Sequence, residues 1–158
     1  MLSMDYSFYG GNLDAYRCRE PEYILAGPAD TGKTLSQLCK LHHAALKYPN
    51  ASLVICRKQL TDVHSTVLVT FRKEVAAEAI EQGIVTVRGG EKAEWFDYPN
   101  GSRIWVAGLD KPGKVLSGQH DLAYANQVEE FALADWEILV TRTTGRAGHM
   151  PYLSLIHI

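Results

Sequence analysis

Two hydrophobic rhythms alternate along this chain: short unbroken apolar runs, and longer stretches in which apolar residues return every three or four positions. Tyr23-Ile24-Leu25-Ala26 is the first run; it ends in a glycine-bearing loop and predicts a buried strand. From Thr34 to Tyr48 the residues Leu35, Leu38, Leu41, Ala45 and Leu46 predict a helix, stopped by Tyr48-Pro49-Asn50. Ser52-Leu53-Val54-Ile55-Cys56 is apolar without alternation, as a strand covered on both faces should be. Leu60, Val63, Val67, Phe71, Val75 and Ala79 then predict a long amphipathic helix closing at Gln82-Gly83. Ile84 to Val87 is a brief strand. Trp95–Tyr98 and Arg103–Val106 flank Pro99-Asn100-Gly101, a hairpin signal. Leu122-Ala123-Tyr124-Ala125 is another apolar strand, and Leu133, Trp136, Leu139 and Val140 mark a last helical face.

Strands alternating with helices predict an α/β fold with a mainly parallel sheet, helices on both faces and the β-hairpin as an insertion. Right-handed crossovers place the strand-to-helix loops along one edge of the sheet, where such folds bind ligands.

Composition narrows the classes. At 158 residues the chain fits one domain, and 16 Lys+Arg against 18 Asp+Glu exclude binding to nucleic acid by bulk positive charge alone. No apolar run reaches the roughly 18 residues of a membrane span, so a membrane role is not expected. Cys18, Cys39 and Cys56 are odd in number, far apart and without a C-x-x-C pair, which reads as reduced thiols. The six histidines show no metal-ligand spacing.

Gly27-Pro28-Ala29-Asp30-Thr31-Gly32-Lys33-Thr34 satisfies G-x-x-x-x-G-K-[ST] at every fixed position, between a predicted strand and a predicted helix. A chain of this length matches by accident about half a per cent of the time. The glycines let the backbone curl so that successive N–H groups converge on phosphate oxygens, helped by the positive end of the following helix. Lys33 is expected to neutralise phosphate charge and Thr34 to place its hydroxyl on Mg²⁺, so ATP and Mg²⁺ are the expected ligands.

Such a loop needs acidic partners at the end of a neighbouring strand, one for the Mg²⁺ shell and one to polarise the attacking water. The candidate is Leu122–Glu130, where the positions just after the apolar run hold Asn126 and Gln127. Amides hydrogen-bond a metal-bound water but cannot take its proton. Glu129 and Glu130 are the nearest carboxylates that can.

Together these stretches resemble the ATPase domain of bacteriophage large terminase subunits. The likeness rests on Tyr23–Thr34 (YILAGPADTGKT), Val54–Lys58 (VICRK) with the long helix after it, Tyr98–Asp110 (YPNGSRIWVAGLD) and, most specifically, Asp121–Arg146 (DLAYANQVEEFALADWEILVTRTTGR). It runs to about Tyr152, and the Asn-Gln pair belongs to the branch it resembles. The resemblance implies a P-loop NTPase fold of the RecA/ASCE type and an ATP-hydrolysing motor that drives double-stranded DNA into a procapsid. It implies the small terminase subunit and the portal protein as partners, a homo-oligomeric ring, and work in the bacterial host cytoplasm. It implies two further parts that the sequence does not carry: a strand with the coupling motif after Tyr152, and a C-terminal nuclease domain. Residues 1–152 are therefore expected to be a partial ATPase domain, incomplete at its C-terminus. The apolar hexamer 153–158 reads as a non-native tail whose deletion should change little.

Ring motors complete catalysis with an arginine at the γ-phosphate. Arg142 and Arg146 are the candidates, with Lys114 and Arg103 from the hairpin side. Arg57 and Lys58 follow the second strand on the phosphate edge; Tyr16 and Arg17 are placed for an adenine contact. Trp95, Trp105 and Trp136 are expected in the core. Two other classes remain open on the residues alone: another DNA-dependent P-loop ATPase of helicase type, and a nucleotide-binding module without turnover.

Overall fold

The structure, a computed structural model, describes residues 7–28, 31–111, 113 and 115–143, and the backbone of 154–157. Seven strands lie in one sheet: β1 Glu22–Ile24, β2 Ser52–Arg57, β3 Thr86–Arg88, β4 Trp95–Asp97, β5 Arg103–Gly108, β6 Leu122–Ala125 and β7 Ser154–His157. Their order is β1-β7-β6-β2-β5-β4-β3. All neighbours from β1 across to β5 are parallel, and β4 and β3 add on antiparallel. The hairpin is thus no separate insertion: its second arm, β5, is a parallel strand against β2, and its first arm begins an antiparallel extension.

The unbroken apolar character of β2 follows from two cores. Leu53 and Ile55 join Leu122 and Tyr124 of β6 beneath α2 (Lys33–Lys47), with Leu38, Leu41 and Phe71. Val54 and Cys56 face the other way, with Ala123, Ala125 and Leu139 of α6 (Leu133–Arg142). Alternate residues of one strand therefore need apolar side chains on both sides. Burial pushes the thiols of Cys39 and Cys56 up to about 12, and all three cysteines are free.

The helix expected over 60–81 is present but is not uniform. It passes from α3 (Leu60–Asp62) through a π-helical turn at Val63–Val67, α4 (Leu68–Thr70) and a second π turn at Phe71–Val75 to α5 (Ala77–Glu81). The buried residues Val63, Val67, Phe71, Val75 and Ala79 are spaced by four. An α-helix overshoots by about 40° every four residues, so this face would drift off the core. The wider π turns undo that drift and keep the five side chains on one side.

Several further expectations meet the structure differently. β1 is not a buried strand: among the described residues it is a sheet edge paired only with β7, and Ile24 is 67% exposed. On α6 only Asp135 and Leu139 are buried, while Leu133 and Val140 face outward. The tryptophans are half-buried, not core: Trp105 and Trp136 cap the second core, and Trp95 packs against Trp105 at 5.3 Å. Ser154–His157, read as a tail, runs as β7 between β1 and β6. That pairing uses backbone groups alone and carries no information about the origin of the sequence.

Candidate functional site

The loop between β1 and α2 holds its shape through its own polar groups. Gly32 has φ 77°, a left-handed conformation that glycine adopts without a Cβ penalty, and it opens α2 by accepting from Ser36 N at 3.0 Å. The Lys33 ammonium donates to the carbonyl of Gly27 at 2.9 Å, to Thr31 Oγ1 at 3.2 Å and to the Pro28 carbonyl. Asn12, on α1 (Gly10–Arg17), donates from Nδ2 to the Thr31 carbonyl at 2.6 Å and ties the loop to that helix. Ala29 and Asp30 lie outside the described residues. The first N–H groups of α2 have no partner within the helix, which makes this end receptive to an anion.

Across from the loop, β6 ends beside β2, with Asn126 N donating to the Cys56 carbonyl at 2.9 Å. Asn126 is buried and donates from Nδ2 to Tyr124 Oη at 2.9 Å. Gln127 stands at φ 55°, ψ 56°, a left-handed position uncommon for a residue with a side chain, and it turns the chain into Val128–Glu130. Arg57, the last residue of β2, takes both oxygens of Glu130, Nε to Oε2 at 3.1 Å and Nη2 to Oε1 at 2.9 Å. The guanidinium holds the Glu130 carboxyl below the usual carboxylate range. Its Nη1 also donates to Thr66 Oγ1 at 3.2 Å. Lys58 pairs with Asp135 at 2.6 Å, and Asp135 caps α6 through the Ala132 N–H at 2.8 Å. Burial would raise the Asp135 carboxyl, but these two hydrogen bonds outweigh it and hold it low.

These pieces enclose a cavity of about 790 Å³. Gly27, Thr31, Gly32, Lys33 and Thr34 form one wall and Asn126, Gln127 and Glu129 another; Arg57, Thr66 and Thr70 complete it. The structure therefore gathers eight of the expected residues in one place. It separates the two glutamates, since Glu129 lines the cavity and Glu130 is engaged by Arg57. Pro28 contributes its carbonyl to Lys33 but does not line the cavity.

The arginine candidates divide as well. The backbone carbonyl of Arg142 accepts from His120 N at 2.7 Å, just before β6 begins, so Arg142 stands at the edge of the sheet opposite Asn126. Arg103 opens β5, about 17 Å along the strand from the cavity edge, and is held by Asp97 at 2.7 Å and between Trp95 and Trp105. Neither reaches this cavity. Arg146 and Lys114 lie outside the described residues. Sequence reasoning missed Asn12, Thr66 and Thr70; the last two sit one turn apart on the helical stretch, but a hydroxyl on a solvent-facing helix carries no distinguishing signal. Tyr16, expected near adenine, bonds His43 Nδ1 through its hydroxyl at 2.5 Å. With Arg17, Phe8 and Tyr9 it lines a hollow of about 420 Å³, next to a second of about 390 Å³ formed by Phe8, Tyr9, Asn12 and Leu35 against the phosphate loop.

Among solved structures, the Thermus phage P74-26 large terminase ATPase domain superposes with a TM-score of 0.71 at 14% identity, over 98% of this chain and 65% of that one. This is the fold of a phage large terminase ATPase domain. The large terminase of a thermophilic bacteriophage in complex with ADP matches at TM-score 0.70 and 12% identity, over 96% of this chain and 38% of that one. The Phi-28 gp11 DNA packaging motor matches at 0.59 and 10% identity, over 92% of this chain and 48% of that one. The chain thus spans between 38% and 65% of the length of these structures. No family model and no curated protein sequence matches it. No helix among the described residues is long and apolar enough to cross a membrane.

Proposed function

We propose that this chain is the ATPase part of a phage DNA-packaging motor, which hydrolyses ATP to drive double-stranded DNA into a procapsid. The observation that carries the reading is the convergence of the Gly27–Thr34 loop with Asn126, Gln127 and Glu129 on one cavity at the strand ends of a terminase-type fold. A cavity of about 790 Å³ suits a nucleoside triphosphate. The ADP complex of a fold relative supports the ligand class.

The residues also fit Mg²⁺. Among the described residues no cluster of three or more His, Cys, Asp or Glu gathers as a metal cage. Thr34 and Asn126 offer a hydroxyl and an amide on the cavity wall. That donor set suits a cation that arrives on phosphates and keeps most of its waters. Bound there, Mg²⁺ would offset phosphate charge.

Within this reading each residue has a task. Gly27, Pro28, Ala29, Asp30, Thr31 and Gly32 shape the cradle, and Lys33 moves its ammonium from loop carbonyls to phosphate oxygens. Gln127 orients the attacking water and Glu129 takes its proton. Glu130 holds Arg57 in place. Phe8, Tyr9 and Leu35 form the apolar end for the base. Arg142 and Arg146 act on the site of a neighbouring subunit in a ring, the small terminase subunit and portal protein bind outside this domain, and the work is done in the host cytoplasm.

Calorimetry with Mg-ATP, paired with phosphate release in the presence and absence of double-stranded DNA, tests the proposal. Binding with DNA-stimulated hydrolysis supports a packaging ATPase. Binding without hydrolysis supports a nucleotide-binding module, which the amides at 126 and 127 favour. No binding removes the proposal.

A further inference from the structure

Tyr124 is wholly buried and does not line the cavity, so the roles above leave it unused. It lies on β6 two residues before Asn126, on the same face of the sheet. Its hydroxyl accepts from Asn126 Nδ2 at 2.9 Å. The phenol is thus fixed to the amide at the end of β6, one of the residues assigned to the cation.

The substitution of an amide for a carboxylate at this position makes that link consequential. An aspartate presents an acceptor oxygen whichever way it turns. An asparagine presents an oxygen at one pole and two donors at the other. A water bound to a cation points its hydrogens outward and needs an acceptor; the –NH₂ pole would repel it. With Nδ2 committed to Tyr124, the carbonyl pole is left for the cavity that Asn126 lines.

We propose that Tyr124 is a positioning residue that locks the Asn126 amide with its carbonyl oxygen toward the cavity, so that Asn126 accepts from a hydrated Mg²⁺ entering with nucleotide. The inference rests on the nucleotide reading given above. It explains how an asparagine serves where a carboxylate is expected: the amide needs an orienting partner, and the strand supplies one two residues earlier.

A double-mutant cycle on the full chain tests it, reading the ratio of ADP affinities measured by calorimetry with magnesium chloride and with EDTA. Tyr124→Phe keeps the ring and removes the hydroxyl. It should leave ADP affinity in EDTA unchanged and reduce the Mg²⁺-linked gain about tenfold, the usual scale for loss of an orienting partner. In an Asn126→Asp background the same change should cost little, because a carboxylate needs no lock. Equal losses in the two backgrounds, or no loss in either, overturn the proposal while ADP binding by the parent keeps the nucleotide reading. Absence of ADP binding by the parent overturns both. If Tyr124→Phe does not fold, 3-fluorotyrosine placed at position 124 of the otherwise unchanged chain decides the matter. Its ¹⁹F resonance should shift when Mg²⁺ joins bound ADP and not with ADP in EDTA, and an unmoved resonance overturns the proposal.

Discussion

Arg57 holds Glu130 by both carboxylate oxygens, and so distinguishes two adjacent glutamates that the sequence presents as equals. The pair bridges the end of β2 to the turn after β6, with the Arg57 side chain 15% exposed and that of Glu130 34% exposed. A partly sheltered bidentate pair is directional. It orders the turn that carries Gln127 and leaves Glu129 on the cavity wall.

Glu129→Gln is therefore expected to cut ATP turnover by about 10² or more with nucleotide affinity retained, because a missing general base costs rate and not binding. Glu130→Gln should cost less turnover. Single-turnover hydrolysis measures both. The reverse ranking would assign the base to Glu130.

Lys33→Ala should weaken Mg-ATP binding roughly tenfold to a hundredfold, the range for losing a charged hydrogen-bond donor. The ammonium also braces the loop through the carbonyls of Gly27 and Pro28. Lys33→Gln, which keeps a neutral donor, is expected to bind between the two. Titration calorimetry of the three proteins reads the order.

His42 gives the fold an acid-sensitive point away from the site. It is 1% exposed and bonds Tyr98 Oη through Nδ1 at 2.7 Å. Burial, then the neighbouring His43, lower its pKa from 6.5 to about 4. Between those values the unfolded chain binds a proton that the folded chain does not. This contribution to stability is whole above about pH 6.5 and is lost as the pH falls toward 4, by on the order of 3 kcal/mol. His42→Gln should flatten that part of the profile relative to the parent in urea melts near pH 7 and near pH 4.5.

Deleting residues 153–158 should lower the thermal midpoint and strip hydrogen-exchange protection from Glu22–Ile24. β7 is the strand between β1 and β6, and among the described residues β1 has no other partner in the sheet. Its loss leaves two unpaired edges and frees the strand that leads into the phosphate loop. The sequence alone had suggested that removing this hexamer would matter little. An unchanged midpoint would restore that view.

The sequence by itself determined the elements and the loop. The continuous apolar runs of β2 and β6 and the four-residue spacing of Val63, Val67, Phe71, Val75 and Ala79 are local patterns, dictated by which face of a strand or helix must leave water. Gly27, Gly32, Lys33 and Thr34 were legible for the same reason, since a phosphate cradle is built from consecutive backbone groups. The tertiary structure alone decided what depends on distance across the chain. Arg57 and Glu130 are 73 residues apart and meet because β2 and β6 are neighbours in the sheet. That contact separates the two glutamates. The return of α6 carries Arg142 to the far edge, and the edge position of β1 exposes a run that looked buried. Side-chain partners chosen by sheet order leave no periodic trace, because nothing in a local pattern records which strand will lie alongside.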